Sequence, residues 1–305
     1  MKLILESKLP KGELEISHQS SLMSIGSCFA DSVGKELDKD GFDIEINPLG
    51  ILFDPISIRT AVDEEQESLF LERDLSYYSL GFHSSIYGES EIEIKEKIAF
   101  KRLLFREKLE KAEVLFVTFG TSWVHKHLET DSFVANCHKL PAEQFNKELI
   151  DLDSERENWS KLINKWAEIN PNLKIVFTVS PVRHSKNGLH ENNVSKALLH
   201  LLVHSMVDKF DNVFYFPSYE IVLDELRDYR FFNQDLVHPT QQAIDYVYEK
   251  FSESYYSNKT KEACNIKRKL NHAQNHRFMN ASREQELHNN ELIKKLEQQF
   301  QDHIK

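Results

Sequence analysis

The chain has 305 residues, 40% hydrophobic and 29% charged, which is ordinary globular composition and enough to bury one sizeable core. Its formal net charge of -11 excludes the dense basic surface of a phosphate-backbone binder, so nucleic acid is not an expected partner. No run approaches the roughly 20 apolar residues of a membrane-spanning helix. The opening MKLILESKLPKGELEIS offers only Leu3, Ile4 and Leu5 before Glu6, so neither a membrane nor a secretory signal is expected. Cys28, Cys137 and Cys264 are odd in number and far apart, which fits neither a disulfide framework nor a zinc cage. The expectation is a reducing, cytoplasmic setting with no metal and no cofactor.

In chain order, residues 22–25 form an apolar segment that ends at Gly26. Residues 29–40 carry Phe29, Val33 and Leu37 on one stripe with Gly41 behind them, which predicts a helix. Residues 42–46 read as a second strand leading into the loop Asn47-Pro48-Leu49-Gly50. Residues 56–65 and 92–111 are predicted helices, and the aromatic stretch 77–87 between them an irregular connection. Residues 114–119 (VLFVTF) have the length and composition of a strand covered on both faces, and Gly120 stops them. Residues 145–170 are predicted as one helix, with Leu149, Trp159, Leu162 and Trp166 available for packing.

Residues 175–179 form another buried strand ended by Ser180-Pro181, residues 193–210 an apolar helix, and residues 213–216 a last strand closed by Pro217. Strands alternating with helices predict an α/β fold, with a parallel sheet and ligands bound beyond the carboxyl ends of its strands. From residue 258 onward Lys, Glu, Gln, Asn and His dominate, which predicts a charged C-terminal helical extension, exposed or pairing with a partner. The expected division is a domain over residues 1–257 and a tail over residues 258–305, with self-association through the tail.

Two clusters can carry chemistry. Ser27 and Cys28 stand between the first strand and the first helix. A hydroxyl or thiol there meets the positive end of the helix dipole and outward-pointing amides, which lowers a thiol pKa and supplies donors for an oxyanion. Alone, the pair reads equally as a Ser N-cap beside a small buried cysteine. The second cluster is Asp235-Leu236-Val237-His238-Pro239-Thr240, before a helix predicted from about Gln241. An Asp three residues before a His can accept its Nδ1–H and leave Nε2 free as a base. The alternative is an Asp cap and a solvent-exposed turn His.

A nucleophile at the first strand-to-helix turn and Asp-x-x-His-Pro after the last strand resemble the chain order of the SGNH (GDSL-like) hydrolases. Residues 26–30, Gly-Ser-Cys-Phe-Ala, resemble the name-giving motif of the GSCFA family grouped with them. Residues 47–53, 119–124, 135–141, 179–184 and 228–231 are similar to that family too, so the likeness spans roughly residues 15–250. The resemblance implies a three-layer α/β/α, flavodoxin-like parallel sheet. It also implies an esterase or acyltransferase acting on a small or carbohydrate-linked acyl ester, with His238 as general base and then acid and Asp235 orienting its ring. An ungapped overlay on the superfamily's Gly-Asp-Ser makes Cys28 the nucleophile, and a shift of one residue makes it Ser27.

By order, Gly50 is the second-block glycine whose amide serves the oxyanion hole. The third block, Gly-x-Asn-Asp, reads Gly120-Thr121-Ser122-Trp123 here, which leaves Ser122 or Asn136 to supply the missing donor. Arg183 and His184 follow a strand and are expected on the active rim, Arg183 holding a substrate carboxylate or phosphate or a structural carboxylate. His83 is a further pocket candidate. The replaced residues also leave open a non-catalytic ligand-binding protein on the same scaffold.

Overall fold

Every side chain of residues 114–119 is buried, and that burial on both faces sets the architecture. The structure, a computed structural model, describes residues 5–10, 12, 14–63, 69–276 and 283–305. The first part runs β1 (Ser21–Gly26), α1 (Cys28–Lys39), β2 (Asp43–Ile46), α2 (Pro55–Val62), β3 (Phe70–Arg73), β4 (Ser76–Ser79), β5 (Tyr87–Gly88) and α3 (Glu91–Leu109). Then come β6 (Val114–Phe119), β7 (Trp123–His127), β8 (Ser132–Val134), β9 (Phe145–Leu149), α4 (Leu152–Ile169), β10 (Lys174–Val179), α5 (Leu189–Lys209) and β11 (Val213–Tyr215). A single turn α6 (Ser218–Glu220) precedes the last helices, α7 (Gln241–Tyr255), α8 (Asn258–Asn275) and α9 (Arg283–Ile304).

Five strands form a parallel sheet in the order β11-β10-β6-β1-β2. Alternate residues of β6 divide between its two faces, as the strand period of two requires. Leu115, Val117 and Phe119 join Trp159, Trp166, Leu199 and Leu202 under α4 and α5. Val114 and Phe116 join Phe29, Leu37, Val247 and Phe251 under α1 and α7. This is the expected α/β fold, a central parallel sheet flanked by helices. The chain leaves β1 for β2 on one side and returns to β6 on the other, so the carboxyl ends of β1 and β6 bound a topological switch point.

Three expectations change. The stretch 77–87 carries β4 and β5, which with β3 make a small antiparallel sheet. Residues 145–170 divide into β9, paired antiparallel with β7, and α4. The Asp151 carboxylate accepts the Ser154 N–H at 2.9 Å and starts the helix there, so the polar run before it is free to pair as a strand. The tail is docked on its own chain. Leu270, Ala273 and Leu296 close α8 against α9, and Asp40 at the end of α1, 2% exposed, takes Arg268 Nε and Nη2 at 2.8 and 2.7 Å. The last two residues of the helix expected over 56–65, and residues 1–4 of the opening segment, lie outside the described residues. Among the described residues no helix is long and apolar enough to cross a membrane.

The turn out of β1 depends on Gly26. Its φ is +131°, and a Cβ there would stand inside the Thr118 carbonyl of β6. Ser27 N–H donates to that same carbonyl at 3.1 Å, while Gly26 N–H donates to Asn47 Oδ1 at 2.9 Å and Gly26 O accepts from Leu52 N–H at 3.0 Å. Neighbours on both sides therefore pin the turn. Gly26→Ala is expected to lower stability by about 4 kcal/mol or more in denaturant titration, because backbone rather than a flexible side chain would have to move. A loss under about 1 kcal/mol would contradict this packing.

Candidate active site

Ser27 is the N-cap of α1. Its Oγ accepts the Phe29 N–H at 3.3 Å and the residue is 1% exposed. Cys28, the first residue of the helix, is half-buried. Burial raises the Cys28 thiol above its ordinary value and Asp31 adds to that, against the backbone amides of Cys28 and Phe29 and the Lys196 charge, which lower it. The helix terminus was expected to lower the thiol. Desolvation outweighs it, and the resting group is the protonated thiol.

The second cluster folds back as its spacing predicts. Asp235 Oδ1 accepts the amides of Val237 and His238 at 2.9 and 3.0 Å, and Oδ2 lies 2.7 Å from His238 Nδ1. An ionised carboxylate only accepts, so Nδ1 carries the proton and the neutral ring keeps its lone pair on Nε2. Those backbone amides first, and then the imidazole, lower the Asp235 carboxyl to about 2. The loop is closed by Asn233 N–H to His238 O at 2.8 Å and by Leu236 at φ +57°. Both side chains are about half exposed, 48% for His238 and 49% for Asp235.

Arg183 supports this loop. Its guanidinium lies 3.9 Å from the Phe232 ring centroid, Nη1 donates to Leu236 O at 3.1 Å, and its N–H donates to Val237 O at 3.2 Å. Its guanidinium thus meets an aromatic face and a carbonyl. The His184 N–H donates to Asn192 Oδ1 at 2.9 Å. Burial, and then the charges of Lys196, Lys147, His238 and Lys186, bring the His184 imidazole down to about 4, so it is neutral at pH 7. Its Nε2 lies 3.5 Å from where a Cβ on Gly120 would stand, and the Ser27 Cβ lies 3.3 Å from the same point. Gly120 thus joins the Ser27 turn to His184, which lies within electrostatic reach of His238.

The remaining sequence candidates are engaged elsewhere. Gly50 N–H donates to Asn47 O at 2.8 Å, closing its own turn against the His83 side chain. The Ser122 N–H and hydroxyl both donate to Ser195 Oγ, at 2.8 and 3.1 Å, beneath α5. Asn136 Oδ1 accepts the His138 N–H at 2.8 Å, and His138 Nε2–H donates to Ser79 O at 2.7 Å. These bonds occupy the Gly50 amide and the Ser122 hydroxyl, whereas Asn136 uses its Oδ1 acceptor and not its Nδ2 donor.

Two residues escape the sequence reading. Asn47 binds Gly26 N–H through Oδ1, and its Nδ2 is buried without a partner, an unused donor beside the turn out of β1. Lys196 lies on the buried face of α5, 2% exposed, and its Nζ donates to Gly120 O and Ser180 O, each at 2.6 Å. Burial lowers the amine to about 7. Its only sequence signal is a lysine on an otherwise apolar stripe with Leu199 and Val203.

The chain belongs to the GSCFA family, whose model matches residues 21–251. That span runs from β1 into α7 and includes Cys28, Lys196, Asp235 and His238. No curated protein matches the chain. Among solved structures it is similar to the lipase Lip_vut3 from a goat rumen metagenome, 10% identical over 78% of this chain and 99% of that one, with a TM-score of 0.40. It is similar to a Clostridium thermocellum family 3 carbohydrate esterase, 12% identical over 82% of this chain and 98% of that one, at 0.34. It is also similar to the periplasmic domain of a Salmonella ser. Paratyphi A lipopolysaccharide acetyltransferase, 12% identical over 78% and 84%, at 0.34.

The Asp235 geometry has a pH signature. The folded carboxyl titrates below its ordinary value, so the order it gives the loop is complete above the usual carboxylate range and is lost as pH falls through about 2. Carbon NMR of the Asp235 carboxyl is expected to show that midpoint; an ordinary midpoint near 4 would contradict the three hydrogen bonds.

Proposed function

We propose that the chain is an acyl-transfer enzyme, an esterase or acyltransferase acting on a small or carbohydrate-linked acyl ester. Cys28 is its nucleophile, His238 its base and acid, and Asp235 the group that orients His238. The observation that carries the reading is the 2.7 Å Asp235–His238 bond on a loop fastened, through Arg183, to the end of β10 beside the nucleophile turn. Family membership over residues 21–251 adds to it.

Cys28 is preferred to Ser27 because the Ser27 Oγ is the helix cap and is fully enclosed, whereas Cys28 is only partly buried and its thiol is lowered by the amides of Cys28 and Phe29. A thiol also needs less activation than a hydroxyl. In the first half-reaction the Cys28 proton passes to His238 Nε2 as the sulfur–carbonyl carbon bond forms. The tetrahedral oxyanion meets the Cys28 amide, with Asn47 Nδ2 as a second donor. The carbon–oxygen bond to the alcohol then breaks, and the alcohol leaves with the proton from Nε2. In the second half, water or an acceptor hydroxyl gives its proton to Nε2 and attacks the thioester. The carbon–sulfur bond breaks, the sulfur regains the proton, and an acid or a new ester departs.

A second reading, a non-catalytic binder on the same scaffold, is favoured by the engagement of the Gly50 amide and the Ser122 hydroxyl in structural bonds. A panel of activated esters and thioesters separates the two. Cys28→Ala and His238→Ala are each expected to lower turnover about a thousandfold. Ser27→Ala is expected to cost about 1 kcal/mol of stability as a lost cap and to keep most of its turnover. Full activity in His238→Ala rejects the reading, and the reverse pattern for the first pair of residues moves the nucleophile to Ser27.

A further inference from the structure

The small sheet that follows β6 carries rings and charge that the core does not use. Gly120, Thr121 and Ser122 lead straight into β7, and Ile150 N–H closes the return from β9 on Ser122 O at 2.9 Å. Gly120 is also the residue packed between the Ser27 Cβ and His184. The sheet therefore stands beside the candidate site. The strand period of two sorts its side chains. Val124 turns into the core and is 2% exposed. Trp123, His125 and His127 take the other face, where their antiparallel partners are Leu149, Lys147 and Phe145.

That face is a row of rings around one cation. The His125 and His127 ring centroids lie 6.5 and 5.4 Å from that of Phe145. Lys147 Nζ lies 5.3 Å from the Trp123 ring centroid, and Trp123 Nε1–H donates to Glu191 O at 3.4 Å, at the start of α5. The rings are half-buried and Lys147 is exposed. Cross-strand packing accounts for the rings. It does not account for the lysine. The chain has 49 Asp and Glu against 38 Lys and Arg, so carboxylates are plentiful. Yet Lys147 meets none among the described residues, and the residue directly opposite it is an imidazole.

We propose that this face is a saccharide subsite: the pyranose ring of a carbohydrate-linked ester lies along the Trp123, His125 and Phe145 rings, and an acidic substituent on the sugar, carboxylate or phosphate, meets Lys147. The C–H bonds on one face of a pyranose are weakly positive and match the negative face of an aromatic ring. The acidic group is the partner that Lys147 lacks, held by a charge-assisted hydrogen bond. The subsite specifies the carbohydrate portion of the proposed acyl ester, and its part in turnover rests on that reading.

Trp123 is a native reporter of this face. Of the three tryptophans, Trp159 and Trp166 are 0% and 2% exposed, so solvent-sensitive emission belongs to Trp123. The full chain is titrated into the millimolar range with trigalacturonate, glucose 6-phosphate and the neutral sugar maltotriose. An acidic sugar is expected to change the Trp123 emission and to bind at least about tenfold more tightly than maltotriose. The tighter of the two acids identifies the substituent. Lys147→Gln is expected to weaken the acidic sugar about tenfold and leave maltotriose unchanged. Lys126→Gln removes the same charge from the other face of β7 and is expected to change neither. The His125 imidazole is expected to titrate higher by NMR when the acidic sugar is bound. Emission indifferent to both acids, maltotriose binding as tightly as they do, or equal losses in the two lysine variants would overturn the proposal. Acyl turnover is not read in this titration, so a chain that cleaves no ester still decides the subsite.

Discussion

The Thr118 carbonyl stands where any side chain on residue 26 would have to go, and much of the site follows from that close approach. Because only glycine fits, the chain can leave β1 with φ +131°, place the Ser27 amide on the same carbonyl and begin α1 at Cys28. The sulfur is thereby set at the point where the sheet's connections diverge. Twelve residues of helix, about 18 Å, carry the chain to Asp40, which Arg268 and Tyr248 clamp. The tail is therefore tied to the opposite end of α1 from the sulfur, and its charged outer surface is remote from the chemistry.

The charges around the site are arranged against the sign of the whole protein. The chain carries -11, yet burial first, and then Lys196, Lys147, His238 and Lys186, keep His184 neutral. The carboxylate of the second cluster is engaged by Val237 and His238 on its own loop. At rest the Cys28 thiol is neutral, raised first by burial.

The sheet was legible because the pattern and the fold agree locally. Residues 114–119 are uniformly apolar and end at glycine, and they form a strand buried on both faces. The Asp235–His238 pair was legible because three residues of chain suffice to bring the carboxylate onto Nδ1. β9 was missed because Asn146, Lys147 and Glu148 carry no strand signal alone and pair only once β7 is present. Gly50 and Ser122 were inferred by order along the chain, and order does not reveal that the Gly50 amide and the Ser122 hydroxyl have nearer partners. Lys196 was hidden for the opposite reason. Its partners lie 76 and 16 residues away, and in an apolar helix a lone lysine reads as a solvent-facing residue. The thiol was misjudged in direction because the helix terminus is visible in sequence, whereas the depth of burial is not.

The central claim is physical: a sulfur at the first helix terminus and an imidazole supplied more than two hundred residues later act on one carbonyl. Acid quenching of the protein during reaction with an activated acyl ester, followed by peptide mapping by mass, reads it directly. An acyl mass appearing on Cys28, and forming far more slowly in His238→Ala, is the predicted result. Acyl groups found on Ser27, or a reaction that proceeds with the Cys28 peptide unmodified at every quench time, would contradict it.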